Sequence, residues 1–169
     1  MRVFILRHAI AAPHAPGKSD ESRALTEEGT EKMRSAALGM KALKLKFHRV
    51  FSSPLIRCRQ TAAVVVAALE IASETVLTPV LAPETKSSEM LKLIAPLPAT
   101  STVLLVGHEP SLSHFVSFLV TGQDRGLALM LKKGGLCRID FPGKPRSGGG
   151  TLVFHLPPRA LRGARRKSS

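Results

Sequence analysis

The sequence predicts an α/β fold: a three-layer α/β/α sandwich around a mostly parallel central sheet. Three observations carry that expectation. Short apolar runs of β-forming residues alternate with longer stretches whose apolar residues recur every three or four positions, the respective periods of buried strands and amphipathic helices. The segments "RVFILR" and "STVLLVGH" hold apolar runs without polar alternation, as strands covered on both faces do. No internal repeat and no linker divides the 169 residues, a length that suits one hydrophobic core.

The first strand is expected over 2–7, followed by a polar loop bearing Pro and Gly over 9–25. Thr26 then caps a helix, with Glu27 and Glu28 placed to complement its dipole. Met33, Ala36, Ala37, Met40 and Leu43 give that helix one core-facing side. A second strand is expected over 48–53, after which Ser53 and Pro54 cap and start a helix to about Glu70. A third strand falls near 76–80, and Ser88 caps a helix that Pro96 ends. The strongest strand signal covers 101–108. Pro110 opens the helix after it, along which Leu112, Phe115, Val116 and Leu119 again step by three and four. Three β-rich pieces follow at 127–131, 136–141 and 151–156, with "KKGG" and the Gly/Pro-rich 142–150 as their turns. The folded domain is expected over 1–156, with a basic, disordered tail over 157–169.

Lys and Arg number 25 against 12 Asp and Glu, for a formal net charge of +13. Part of the excess is the tail, with Arg159, Arg162, Arg165, Arg166 and Lys167; the remainder is dispersed and favours anionic substrates. With no Trp and no Tyr, a base-stacking surface is poorly supplied, which argues against nucleic acid as the partner. No apolar run approaches the roughly 18 residues that span a bilayer, and "VFIL" is too short for a signal-peptide core. The expectation is a cytoplasmic protein with no membrane partner. Cys58 and Cys137 make neither a disulfide framework nor a metal-ligand spacing. Neither heads the C-x5-R pattern of cysteine-based phosphatases, since positions 64 and 143 are Val and Gly.

The strand ends carry the chemistry. Arg7 and His8 follow the first strand, Ser53-Pro54-Leu55-Ile56-Arg57 the second, and Gly107-His108-Glu109-Pro110 the strongest one. In α/β sheets of this kind ligands bind where the carboxyl ends of the strands converge. Two arginines and two histidines would meet there beside two helix N-termini, whose free N–H groups favour anions. Arginine adds a planar fork that matches phosphate oxygens. Each like-charged pair costs on the order of a few kcal/mol at about 4 Å and an effective dielectric of about 20, and a bound anion relieves that repulsion. The residue types point to phosphate.

This combination resembles the histidine phosphatase superfamily. Arg7 and His8 match its RH signature, Arg57 sits in an SPLxR segment, and His108 sits in a GHxP segment. The SixA-type phosphohistidine phosphatases are the most similar group, through "RALTEEG" at 23–29, "SSPLIRCRQTA" at 52–62, "VGHEPSLS" at 106–113 and the short chain. The resemblance spans roughly residues 1–156 and implies the phosphoglycerate-mutase-like fold. One departure is Ala9, where many relatives have Gly. The resemblance implies that His8 attacks phosphorus to form a phosphohistidine intermediate that water hydrolyses. Arg7, Arg57 and His108 would bind the substrate's nonbridging oxygens and stabilise their charge, with no metal and no cofactor. Glu84, in "LAPET", is the first candidate proton donor and Glu109 the second. Arg23 either lines the mouth or pairs with Asp20. His14, His48, His114 and His155 lack such company and are expected to be structural or exposed. Only about 20 residues separate the strand near 76–80 from Thr100, too few for a capping insertion. An open site suits a phosphorylated protein, such as a histidine phosphotransfer domain; a small phosphoester is the rival substrate.

Overall fold

The structure, a computed structural model, describes residues 1–14, 16–17 and 19–165. The chain runs through β1 (Arg2–Arg7), α1 (Glu27–Ala42), β2 (Arg49–Ser52), α2 (Ile56–Leu69), β3 (Thr75–Leu77), α3 (Ser87–Ile94), β4 (Thr102–Gly107), α4 (Ser111–Thr121), β5 (Leu136–Asp140), β6 (Thr151–Leu156) and α5 (Pro158–Ala164). Short 3-10 turns lie at Asp20–Ser22 and Pro79–Leu81. The strands form one six-stranded sheet in the order β3-β2-β4-β1-β5-β6. The first four in sequence are mutually parallel, while β5 and β6 run antiparallel at one edge.

The sheet is buried on both faces, as its unbroken apolar runs require. Val3, Ile5, Val103 and Leu105 face a core completed by Met90 and Ile94 of α3 and by Leu112, Phe115 and Leu119 of α4. Phe4, Leu6, Leu104 and Val106 face the opposite core, built from Met33 and Met40 of α1, Ala62 and Val65 of α2, and Leu161 of α5. That division makes the three-layer α/β/α sandwich. Among the described residues no helix is long and apolar enough to cross a membrane.

Local chemistry explains most boundaries. Thr26 caps α1, its hydroxyl accepting the Gly29 N–H at 2.9 Å. The helix expected to begin at Ser53 and Pro54 begins at Ile56 instead, without a side-chain cap. Ser53 is spent on the turn before it, where its hydroxyl accepts the Leu55 N–H at 3.3 Å. The third strand stops at Leu77, because Thr78 and Pro79 start a 3-10 turn. The helix expected to be capped by Ser88 starts at Ser87, with Lys86 as its cap residue.

Two further expectations are corrected. Residues 127–131 form no strand. The free side of β1 is already taken by β5, and the segment's groups bond to side chains instead: Leu127 N–H to Ser117 Oγ at 2.9 Å, and Leu131 N–H to Glu109 Oε1 at 3.1 Å. The expected disordered tail is helical over Pro158–Ala164, opening with a proline at its first turn, and Leu161 is fully buried. This helix lies so close to α1 that a Cβ on Gly39 would come within 1.8 Å of the Leu161 carbonyl oxygen. Positions 166–169 of that expectation lie outside the described residues.

Candidate active site

β1, β2 and β4 end side by side, with Arg7 in register with Gly107 and Ser52 with Val106. His8, Ser53 and His108 therefore share one edge. The His8 backbone is fixed from both sides: its N–H donates to the Gly107 carbonyl at 3.1 Å, and its carbonyl accepts the Gly134 N–H at 3.2 Å. Gly134 reaches that position with φ +77, a conformation glycine adopts without steric cost. The next amide, Ala9 N–H, donates to Thr61 Oγ1 at 3.0 Å.

The His8 ring is equally constrained. Nδ1 lies 2.7 Å from the Ala9 carbonyl, which can only accept, so Nδ1 carries the hydrogen and Nε2 the lone pair. Burial pushes the His8 pKa down to about 4; the Ala9 hydrogen bond opposes this, while Arg57, Arg7 and Lys133 reinforce it. The His108 ring centroid is 5.2 Å away, with the ring planes at 54°. Its Nε2 is 2.9 Å from Ser53 Oγ and 3.3 Å from Cys58 Sγ. The Ser53 hydroxyl accepts the Leu55 N–H and keeps both a hydrogen and a second lone pair for Nε2, so Nε2 is the engaged nitrogen of His108 in either tautomer. Burial, followed by Arg57 and His8, lowers the His108 pKa to about 3. Both imidazoles are neutral at physiological pH.

Arg57, in the first turn of α2, is buried and aims both terminal nitrogens at Asp20: Nη1 at the carbonyl and Nη2 at Oδ2, each at 2.8 Å. Asp20 Oδ1 also accepts from Arg23 Nη1 at 2.7 Å, so Arg23 pairs with Asp20. The hydrogen bond from Arg23, then that from Arg57, holds the Asp20 carboxyl below the usual carboxylate range. Arg7 Nη1 donates to the Leu131 carbonyl at 2.8 Å. The Nε of Arg7 and that of Arg57 are buried with no hydrogen-bond partner among the described residues. An unmade hydrogen bond of this kind costs about 1–3 kcal/mol, and an oxyanion in the crevice could satisfy it.

The two acidic candidates are placed differently. Glu109 Oε1 accepts the Ser113 hydroxyl at 2.7 Å and the Leu131 N–H at 3.1 Å, so it braces the residue whose carbonyl anchors Arg7. The loop of Glu84 is held at the same sheet edge by a bond from the Glu84 N–H to Ser111 Oγ at 2.9 Å, while the residue itself is exposed. The sequence does not disclose the bond from Arg57 to Asp20, the role of Thr61 or the use of Ser53 in the turn before α2. Thr61 lies one helical turn after Arg57, and its hydroxyl donates to the Arg57 carbonyl at 2.7 Å while accepting the Ala9 N–H at 3.0 Å.

The sequence model of the histidine phosphatase superfamily (branch 1) matches residues 3–82. The phosphohistidine phosphatase SixA of Escherichia coli K12 is 29% identical over 167 residues, covering 98% of this chain and 99% of that protein. A solved structure of the protein histidine phosphatase SixA complexed with tungstate aligns with a TM-score of 0.80 at 29% identity, covering 95% of this chain and 99% of that one. The chain belongs to the histidine phosphatase superfamily. As a histidine phosphatase it is a hydrolase of the phosphatase class. A further relative of this histidine phosphatase, an uncharacterised protein of Picosynechococcus sp., is 32% identical over 157 residues, covering 92% of this chain and 90% of that protein.

Proposed function

We propose that the protein hydrolyses phosphohistidine on a phosphorylated protein, with His8 as the nucleophile. The observation that carries this reading is the His8 ring, whose Nδ1–H is committed to the Ala9 carbonyl at 2.7 Å and whose Nε2 is left with a lone pair. In the first step Nε2 forms a bond to phosphorus as the bond from phosphorus to the substrate's ring nitrogen breaks, and the leaving imidazole takes a proton from solvent. Water then attacks the phosphorus on His8, inorganic phosphate departs, and the lone pair returns to Nε2. Arg7, Arg57 and His108 hold the nonbridging oxygens, where fixed donors contribute most in phosphoryl transfer. The SixA relative's name supports phosphohistidine as the substrate class. The brief crossover from β3 to β4, whose only α-helix is the eight-residue α3, supports an open mouth for a protein surface.

Glu84 is proposed as a proton donor that matters little for this substrate, because an imidazole leaves more readily than an alkoxide. Full general acid catalysis is worth roughly 10²–10⁴-fold, so Glu84→Gln should keep phosphohistidine hydrolysis within about tenfold of the parent while slowing alkyl phosphates more. The deciding assay measures kcat/KM on a phosphohistidine protein, an aryl phosphate and several sugar phosphates, for the parent, His8→Ala and Glu84→Gln. The expected result is a preference for phosphohistidine that vanishes in His8→Ala with the circular dichroism spectrum unchanged. Negligible activity on phosphohistidine in the parent, with turnover of a sugar phosphate, would replace this reading with a small-molecule phosphomonoesterase.

A further inference from the structure

Arg57 is already holding an anion, and that anion belongs to the protein. Its side chain is 4% exposed, whereas that of Asp20 is 46% exposed at the tip of the loop before α1. The two terminal nitrogens of Arg57 are each 2.8 Å from an Asp20 oxygen, one of them from the carboxylate. This paired-oxygen arrangement is what a phosphoryl group offers a guanidinium. A phosphoryl group and the Asp20 carboxylate cannot use that fork together without two anions in contact.

The loop is built to exchange them. Its far end is tied to the body: Arg23 Nε donates to the Ala12 carbonyl at 2.7 Å, and the Leu25 N–H donates to Gln60 Oε1 at 2.7 Å. Between these anchors the turn itself makes local bonds, the Glu21 N–H to Ser19 Oγ at 3.1 Å and the Ser22 hydroxyl to the Ser19 carbonyl at 2.7 Å. None of Asp20, Glu21 and Ser22 is buried, so moving them empties no core. Asp20 also has a second cation, since Arg23 Nη1 holds Oδ1 at 2.7 Å and can keep it after Arg57 lets go.

We propose that Asp20 is an internal competitor for the phosphoryl site: it occupies the Arg57 fork between turnovers, and the incoming phosphoryl group displaces it onto Arg23. The inference rests on the reading of Arg57 as a phosphoryl ligand. It follows that free phosphate is bound weakly and released readily, because each departure is compensated by the return of Asp20. Substrate pays the same displacement and must recover it through its other contacts.

The test measures tungstate and inorganic phosphate affinity by calorimetry for the parent, Asp20→Ala, Asp20→Asn, Glu21→Gln and Arg57→Ala, and for the Asp20→Ala/Arg57→Ala double variant. Asp20→Ala and Asp20→Asn should tighten binding by about 3- to 5-fold, the order expected for releasing a half-exposed charge pair. Glu21→Gln removes a charge from the same turn without touching Arg57 and should change affinity less than about twofold, as screened surface charges do. Hydrogen exchange at residues 19–23 should rise when tungstate binds the parent. Unchanged or weaker binding in both Asp20 variants, while the parent still binds tungstate, overturns the proposal. A gain that persists fully in the Arg57→Ala background also overturns it, since the effect would then be general electrostatics. If neither the parent nor Asp20→Ala binds either anion, the phosphoryl-site reading itself fails.

Discussion

Two imidazoles 5.2 Å apart and close to two guanidinium groups stay neutral because charging either would be opposed by burial and by its neighbours. In the unfolded chain each ring takes its proton near the ordinary value of about 6.5, but in the folded protein only near 4 for His8 and 3 for His108. Between those limits the unfolded state binds more protons, so stability present above pH 6.5 is lost as the pH falls through 4. The His8 shift corresponds to on the order of 3 kcal/mol. Urea unfolding at pH 7 and pH 4.5 should therefore show a steeper loss for the parent than for His8→Ala; equal losses would mean that His8 titrates normally. At the same scale Glu109 acts on Arg7 through Leu131, whose N–H donates to Glu109 while its carbonyl accepts Arg7. Glu109→Ala leaves the Leu131 N–H only its longer bond to Ser113 Oγ at 3.4 Å, and should cost about 1 kcal/mol and weaken tungstate binding severalfold. Glu109→Gln, which keeps an acceptor, should restore most of both. Parent-like binding in the alanine variant would show that Arg7 needs no brace.

Elements reveal which signals a sequence can carry. Gly39→Ala would drive a methyl group into the Leu161 carbonyl, now 1.8 Å from that point, and so should lever α5 off α1. Overpacking of this kind costs about 1–3 kcal/mol, so the urea midpoint should fall and trypsin should cut at Arg159 and Arg162 far faster. Unchanged cleavage would mean that α1 shifts and α5 does not. That helix was illegible beforehand because its charge block outweighed a single buried anchor, Leu161, and its proline start. The 127–131 segment misled for the opposite reason: its residues favour strands, but its N–H groups found Ser117 and Glu109 before any neighbouring strand. β1, β4 and α4 were legible because their periodicity is long and their flanking residues agree with it. The same locality made Arg7, His8, Arg57 and His108 visible, since each directly follows an apolar run or opens a helix. In the sequence Asp20 stands out only as one of two options for Arg23; its bond to Arg57 spans 37 positions, a separation at which sequence spacing says nothing.

At the scale of the whole molecule, a net charge of +13 surrounds a crevice that itself collects Arg7, Arg57 and Lys133. Long-range attraction falls off over a Debye length of about 10 Å at 0.1 M salt, so it assists a large acidic partner more than a small ester. Raising NaCl from about 50 to about 500 mM should therefore lower kcat/KM for a phosphorylated protein domain several times more than for an aryl phosphate. Equal salt sensitivity would locate the effect in the pocket alone. The molecule is also chemically quiet in another respect. Both of its cysteines are buried, and burial pushes the thiols of Cys58 and Cys137 up to about 12, far from the thiolate that electrophiles and peroxide attack. Cys58 nonetheless stands 3.3 Å from the His108 ring, where an adduct would be ruinous. Iodoacetamide or hydrogen peroxide should leave both thiols unmodified by mass spectrometry and activity intact, whereas an adduct on Cys58 with parallel inactivation would show that the burial is breached. A cell could thus oxidise its thiol-dependent phosphatases and leave this one running.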